Sequence, residues 1–298
     1  MADVSITDLW SMLLYDFRHN NLGLLAGCEV DYQNRVLTPP PSCSGRQYAA
    51  YALSRSIDSK FQDEIDQASA DQAAWLIFHQ ANQACKAWQV RTDELGPYDE
   101  VIIGEFKKLI YDFFTPEGFP LLDFAAMVPH VDFGPGSSPG ADELDFASKM
   151  GQSTLSASSP LIVSLFDTWL RDSSSRLDCE IARVLANGNP EIIEACKVTA
   201  VPKKRSVSRL VKPEPLLNMF FQKGISGVLR SRIRTFFGID LQTQPAINAE
   251  LARIGSIKGT YATIDLTSAS DYLSNGLCNW CIPRASLLWL RAMRSPKA

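Results

Sequence analysis

The sequence predicts an α+β protein that is mostly helical, and three observations carry the prediction. Residues 46–67, 70–90 and 98–114 place apolar side chains at three- and four-residue intervals, the spacing that lines one face of a helix. A further apolar stretch, 216–237, lies between Pro215, which suits a first helical turn, and Gly238, which suits a helix end. Strand character is confined to short segments, chiefly 197–202, 209–212 and 260–266.

At 298 residues and 46% hydrophobic, with 21% charged residues, the chain is long enough to bury a substantial core as one large domain or two ordinary ones. Every apolar run is broken by charge or proline before the ~18 residues that a membrane span requires. Met1 is followed by Asp3 and Asp8 and not by a basic, apolar leader, so the expectation is a cytoplasmic protein without a membrane partner. The seven cysteines are odd in number and scattered, which argues for reduced thiols and against a disulfide scaffold.

Taken in order, residues 1–37 read as an N-terminal arm, and Thr38-Pro-Pro-Pro-Ser42 as an extended connection to the helices at 46–67, 70–90 and 98–114, which should pack together. Three glycines and two prolines between Val131 and Gly140 forbid regular structure there. Helices are expected again at 160–171 and 174–187. Two strands, 197–202 and 209–212, then flank a basic turn, followed by the helix at 216–237 and a shorter one at 244–254.

Charge is segregated. Between Lys197 and Arg234 ten basic residues face one acid, Glu214, for a charge of +9, whereas the whole chain carries −4. Local potential, more than total charge, draws anions, so this block is a candidate phosphate-handling surface, weighed against an ordinary solvated face. Two aspartates stand apart from the block in TIDLTSASDYLS (263–274). Asp265, between Ile264 and Leu266, should sit at a strand exit near a buried sheet edge, where a carboxylate needs a cation or donors to offset its desolvation. A carboxylate of that kind facing a cleft is a good magnesium ligand. Asp271 follows Ser268 at N-cap spacing and should lie in a first helical turn, where stabilising the helix end is a sufficient role for it.

These stretches together carry a resemblance. TIDLTSASDYLS is similar to the first catalytic palm motif of the RNA-directed RNA polymerases of levivirus-type RNA bacteriophages, the replicase beta subunits. VPKKRSVSRLVKPEP (201–215) resembles their basic finger motif, above all in Val201-Pro202-Lys203, Arg209 and Glu214-Pro215. The likeness continues through NMFFQKGISGVLRSRIR (218–234), GIDLQ (238–242) and MRSPK (293–297). It is dense over about 197–297 and weaker over the helices from 35 to 90.

The resemblance implies a right-hand polymerase architecture: an arm at 1–37, helical fingers over 38–259 with the basic finger motif at 197–215, and the start of the palm over 260–298. It implies nucleotidyl transfer from nucleoside triphosphates on an RNA template, in the cytoplasm of a bacterial host, with host elongation factors Tu and Ts as partners. Such transfer uses two Mg2+ ions about 3.5–4 Å apart, and Asp265 would be the catalytic, metal-holding carboxylate. Lys203 and Arg209 would meet the triphosphate charge, and Asp271 the ribose 2′-hydroxyl that distinguishes RNA from DNA precursors. Lys204, Arg205 and Lys212 are helpers of that site or members of a plain basic hairpin.

Polymerases of this type also carry a Gly-Asp-Asp turn with the remaining metal carboxylates, and no Asp-Asp pair occurs in the 298 residues. The expectation is a piece of a longer replicase, truncated before that motif and inactive alone. The rival reading is a non-catalytic RNA-binding protein built on 197–234. A hydrolase using Asp265 and Asp271 as acid and base lacks a neighbouring histidine. Cys278-Asn-Trp-Cys281 has metal-ligand spacing but no second pair, so both cysteines are assigned to helix packing. Gly134-Pro-Gly136 lacks the Gly-Lys-Ser/Thr of a P-loop and reads as a turn. Phe220, Phe221, Trp280 and Trp289 are at helical spacing, which favours core positions over base stacking.

Overall fold

The computed structural model of the chain describes residues 6–15, 27–31, 36–59, 66–91, 95–134, 136, 138–139, 141, 145–204, 206–264, 266 and 268–297. Contacts divide the chain into two units, one of residues 1–79 with 199–211, the other of residues 80–198 with 212–298.

In the first unit, α1 (Ile6–Tyr15) precedes an antiparallel pair, β1 (Glu29–Asp31) and β2 (Val36–Thr38), in which Val30 faces Leu37. The prolines after Thr38 end β2, and a turn closes as the Cys43 amide donates to the Pro40 carbonyl (3.1 Å). Ser44 then caps α2 (Gly45–Asp58) reciprocally: its hydroxyl accepts from the Gln47 amide, and Gln47 accepts from the Ser44 amide at 2.9 Å. Trp10, Leu14, Cys28, Leu37 and Ala50 form one small core, so the described part of the 1–37 arm packs on the first long helix. The unit also takes in the start of α3 (Gln67–Ala87) and the hairpin of β5 (Thr199–Lys204) and β6 (Val207–Val211).

The second unit is built around α9 (Leu216–Phe237). The elements that precede it in this unit are, in chain order, α4 (Pro97–Phe114), α5 (Phe124–Met127), α6 (Phe146–Gln152), β3 (Ser156–Ala157), α7 (Pro160–Arg171), α8 (Ser174–Asn187) and β4 (Glu191–Ile192), of which α5, β3 and α7 pack on it. After α9 come α10 (Gln244–Lys258), α11 (Asn275–Cys281) and α12 (Arg284–Ala292). Leu216, Leu217, Phe220 and Phe221 are fully buried. Phe220 packs against Trp169 with centroids 4.9 Å apart in a T-shaped contact, and against Phe133 at 5.0 Å. The helix begins after Pro215 and ends at Gly238, which takes φ +69°, a conformation glycine adopts without a Cβ clash.

Two glycines let this helix approach the segment 127–131. A Cβ on Gly227 would lie 2.3 Å from His130 Cβ, and one on Gly224 would lie 3.0 Å from the Met127 carbonyl oxygen. Lys149 holds two of the residues that follow, Gly134 and Gly136. Its side chain is fully buried, and its ammonium donates to the carbonyl oxygens of Gly134 and Gly136, which gives the buried charge its partners. Gly134 and Gly136 are thus braced by one buried ammonium, and Pro135 between them lies outside the described residues.

Three sequence expectations are corrected. The helices at 46–67, 70–90 and 98–114, expected to pack together, are divided between the units: α2 belongs to the first and packs on α1, α4 belongs to the second and packs on α11, and α3 crosses the boundary. Residues 260–264 and 266 form no strand, because β-rich residues make a strand only beside a partner and none is paired with them among the described residues. Ile264 and Leu266, expected at a buried sheet edge, are 84% and 69% exposed.

Candidate nucleic-acid interface

The basic hairpin has an irregular ladder. Val201 faces Arg209 and Lys204 faces Val207. Between those pairs β5 contributes two residues, Pro202 and Lys203, and β6 only one, Ser208. That is a β-bulge, and Pro202, which has no amide hydrogen to give a ladder, fits it. Lys203 and Arg209 are both exposed. Among the described residues neither they nor Lys204 is within ion-pair distance of a carboxylate. Exposed cations without protein partners are free to meet an anion from outside.

Other members of the block have structural duties. Arg232 donates to the carbonyls of Phe113 (2.9 Å) and Asp112 (2.7 Å) and lies over the Phe236 ring. Arg234 is 3.8 Å from Asp240. Lys212 is 3.5 Å from Glu214 and donates to the Ser295 carbonyl at 3.4 Å, while Glu214 accepts from the Ser295 amide at 3.0 Å. Arg205 lies outside the described residues. Within the +9 block, Lys203, Lys204 and Arg209 thus lie on the exposed hairpin, while Lys212, Arg232 and Arg234 have partners within the protein.

The Lys212–Glu214–Ser295 contacts belong to a wider seam. Gln222 and Asn218 on α9 donate to the Met293 carbonyl at 2.7 and 3.2 Å, and Asn218 also accepts from the Ser158 amide at 2.8 Å. Residues 293–297 are thereby pinned to the base of α9, which joins the two ends of the stretch from 212 to 297.

Asp265 lies outside the described residues. Ser268 has φ +53°, and its carbonyl accepts from the amides of Asp271 (2.9 Å) and Tyr272 (3.3 Å), so residues 268–272 form a turn. Helix α11 begins three residues beyond Tyr272, and its cap is Ser274, whose hydroxyl accepts from the Leu277 amide at 2.9 Å. Asp271 is therefore not in a first helical turn as its spacing after Ser268 predicts: a second serine, six residues on, takes the cap. Its side chain is exposed, and its backbone carbonyl receives the Cys85 thiol at 3.3 Å.

Lys203 and Arg209 thus share one hairpin in the first unit, and Asp271 belongs to the second. Among the described residues no group of three His, Cys, Asp or Glu side chains is placed to hold a metal ion. Asp271 brings one carboxylate, so the described residues by themselves do not constitute a Mg2+ site. Burial, and secondarily the neighbouring Cys278, push the Cys281 thiol up, away from the thiolate that metal binding needs. None of the seven cysteines forms a disulfide. Phe220 and Phe221 are core residues, as their helical spacing predicts. Trp280 is half-buried against Phe106 (6.3 Å), with the Lys107 ammonium 4.4 Å above its ring.

Sequence reasoning missed the polar group behind the hairpin. Ser208 donates to Asp71 (2.5 Å) and accepts from Gln67 (2.8 Å), and Gln67 also donates to Asp71. Gln67 and Asp71 stand one turn apart on α3, a spacing common enough to carry no signal of a partner 137 residues away.

The profile described as RNA replicase, beta-chain, matches residues 40–298. The chain belongs to that family. It is 45% identical over 101 residues to the RNA-directed RNA polymerase subunit beta of Escherichia virus Qbeta, a match covering 34% of this chain and 17% of that one. It is 42% identical over 98 residues to the RNA-directed RNA polymerase beta chain of Escherichia phage MS2, 33% of this chain and 18% of that one. Against the RNA-directed RNA polymerase subunit beta of Enterobacteria phage SP it is 29% identical over 237 residues, 78% of this chain and 39% of the relative. The matched part of this replicase-family chain spans less than half the length of each of these relatives. Its mostly helical structure with three two-stranded sheets among the described residues agrees with an α+β fold. No helix among the described residues is long and apolar enough to cross a membrane.

Proposed function

We propose that this chain forms the fingers and the first part of the palm of an RNA-directed RNA polymerase, with the nucleotide-entry surface on the β5–β6 hairpin. What carries the reading is the family match over 40–298 combined with two exposed cations, Lys203 and Arg209, that have no carboxylate partner among the described residues. In this reading the two side chains meet the triphosphate of an incoming nucleotide, Asp271 accepts from its ribose 2′-hydroxyl, and the substrates are an RNA template and nucleoside triphosphates. Asp265 contributes one carboxylate to a Mg2+ site whose other ligands are outside the described residues. Elongation factors Tu and Ts of a bacterial host are the partners, and its cytoplasm the place of action. The 298 residues are inactive by themselves, because no Asp-Asp pair is present to complete the metal set.

Nucleotide binding by the purified chain tests the reading. A ribonucleoside triphosphate should bind with an affinity that falls with salt, and Lys203→Ala with Arg209→Ala should weaken it at least about tenfold, since charge-assisted contacts contribute about 1.5–3 kcal/mol each. Triphosphate binding that the double substitution leaves unchanged removes the hairpin from the site. Tight single-stranded RNA binding without triphosphate binding supports the second reading, an RNA-binding protein using 197–234.

A further inference from the structure

The hairpin's outward face is set by what holds its inward face. Ser208 is the single residue opposite the Pro202–Lys203 bulge and the immediate neighbour of Arg209. Successive residues of a strand point to opposite sides. Ser208 is 5% exposed and Arg209 exposed, so anchoring the first fixes the direction of the second. The anchor is a closed triangle: Gln67 Nε2 donates to Ser208 Oγ (2.8 Å) and to Asp71 Oδ1, and Ser208 Oγ donates to the same Asp71 oxygen at 2.5 Å. Gln67 and Asp71 come from the first turns of α3, a 21-residue helix. A two-stranded hairpin by itself is marginal in water, and a bulge leaves its local twist free to vary. The tie to a long helix supplies the rigidity that its own ladder lacks.

We infer that Asp71 is a positioning residue for triphosphate binding, acting through Ser208 to hold Arg209 where an anion meets it. The inference rests on the reading above, in which Arg209 contacts the triphosphate. Asp71 touches no substrate in it. A carboxylate near a basic surface would by charge alone oppose anion binding, so a loss of affinity on its removal reports geometry and not potential.

The test is a double-mutant cycle on the 298-residue chain, using binding of a fluorescent ribonucleoside triphosphate at fixed low salt, with thermal unfolding alongside. Asp71→Ala should weaken binding about fivefold, while Asp71→Asn, which keeps the accepting Oδ1, should stay within about twofold of the wild type. Arg209→Ala should weaken binding, and adding Asp71→Ala to it should cost less than about twofold more, because the positioned group is gone. Ser208→Ala removes one oxygen from the same triangle and should repeat the pattern if Asp71→Ala fails to fold. Equal losses from the Asp71 change with and without Arg209, or a gain in affinity, overturn the inference. If Arg209→Ala weakens binding and neither Asp71→Ala nor Ser208→Ala does, the inference fails and the reading of the hairpin stands. If the folded wild type binds no triphosphate, or Arg209→Ala has no effect, both fail.

Discussion

Asp271 offers its side chain to solvent and its backbone to a turn closed by Ser268, so its carboxylate is not engaged in capping. Ser274 does that work: it is 2% exposed, and its hydroxyl satisfies the Leu277 amide. The two roles can be separated by thermal unfolding. Ser274→Ala should cost about 1 kcal/mol, the usual value of an N-cap serine, whereas Asp271→Asn should leave the melting temperature unchanged. A lowered melting temperature in Asp271→Asn would return that residue to a structural role. In a full-length replicase carrying this segment, the same substitution should retain partial activity and reduce the preference for ribonucleotides over deoxyribonucleotides, while Asp265→Asn should abolish the chemical step and spare RNA binding. Wild-type incorporation by Asp265→Asn would defeat the assignment of that carboxylate. Sequence named a serine as the cap and misplaced it by six residues. Both serines stand three residues ahead of a position an amide can occupy, and only the path of the backbone, with Ser268 at φ +53°, chooses between them.

Among the elements, those bounded by their own local chemistry were legible: α7, α8 and α9 run over Pro160–Arg171, Ser174–Asn187 and Leu216–Phe237, as periodicity with proline and glycine at the ends predicts. The hairpin was legible for the same reason, though its bulge was not, since it depends on how two strands pair. The segment 260–266 failed because strand formation is decided by a partner and not by propensity. Close approaches between elements are equally silent in sequence, and Gly227 is an example. In an exposed helix, Gly→Ala would stabilise by up to about 1 kcal/mol. Here the new methyl would stand 2.3 Å from His130 Cβ, a position no real contact allows, so Gly227→Ala should instead destabilise by about 1–3 kcal/mol through overpacking against 128–130. Denaturant unfolding of Gly227→Ala beside His130→Ala/Gly227→Ala checks it: the second change should recover part of the loss. A more stable Gly227→Ala would show that α9 and His130 do not pack this closely.

For the whole molecule, the division of charge and of contacts sets what the chain can do alone. Of the +9 block, Lys212 and Arg232 are engaged within the second unit and Lys203, Lys204 and Arg209 stand exposed on the hairpin of the first, a local positive surface of the kind that draws anions. Polymerisation asks for more. Two-metal transfer requires several carboxylates converging on one point, the 298 residues contain no Asp-Asp pair, and no three candidate ligands converge among the described residues. The purified 298-residue chain should therefore bind single-stranded RNA with a log–log salt slope of about −0.7 per phosphate neutralised, yet incorporate no nucleotide on a primed RNA template with either Mg2+ or Mn2+. The two measurements belong together, because binding without synthesis isolates the missing step as chemistry and not as template capture. Template-dependent synthesis by this chain would mean that the carboxylates needed for transfer are present within it, and that the Gly-Asp-Asp turn is dispensable here.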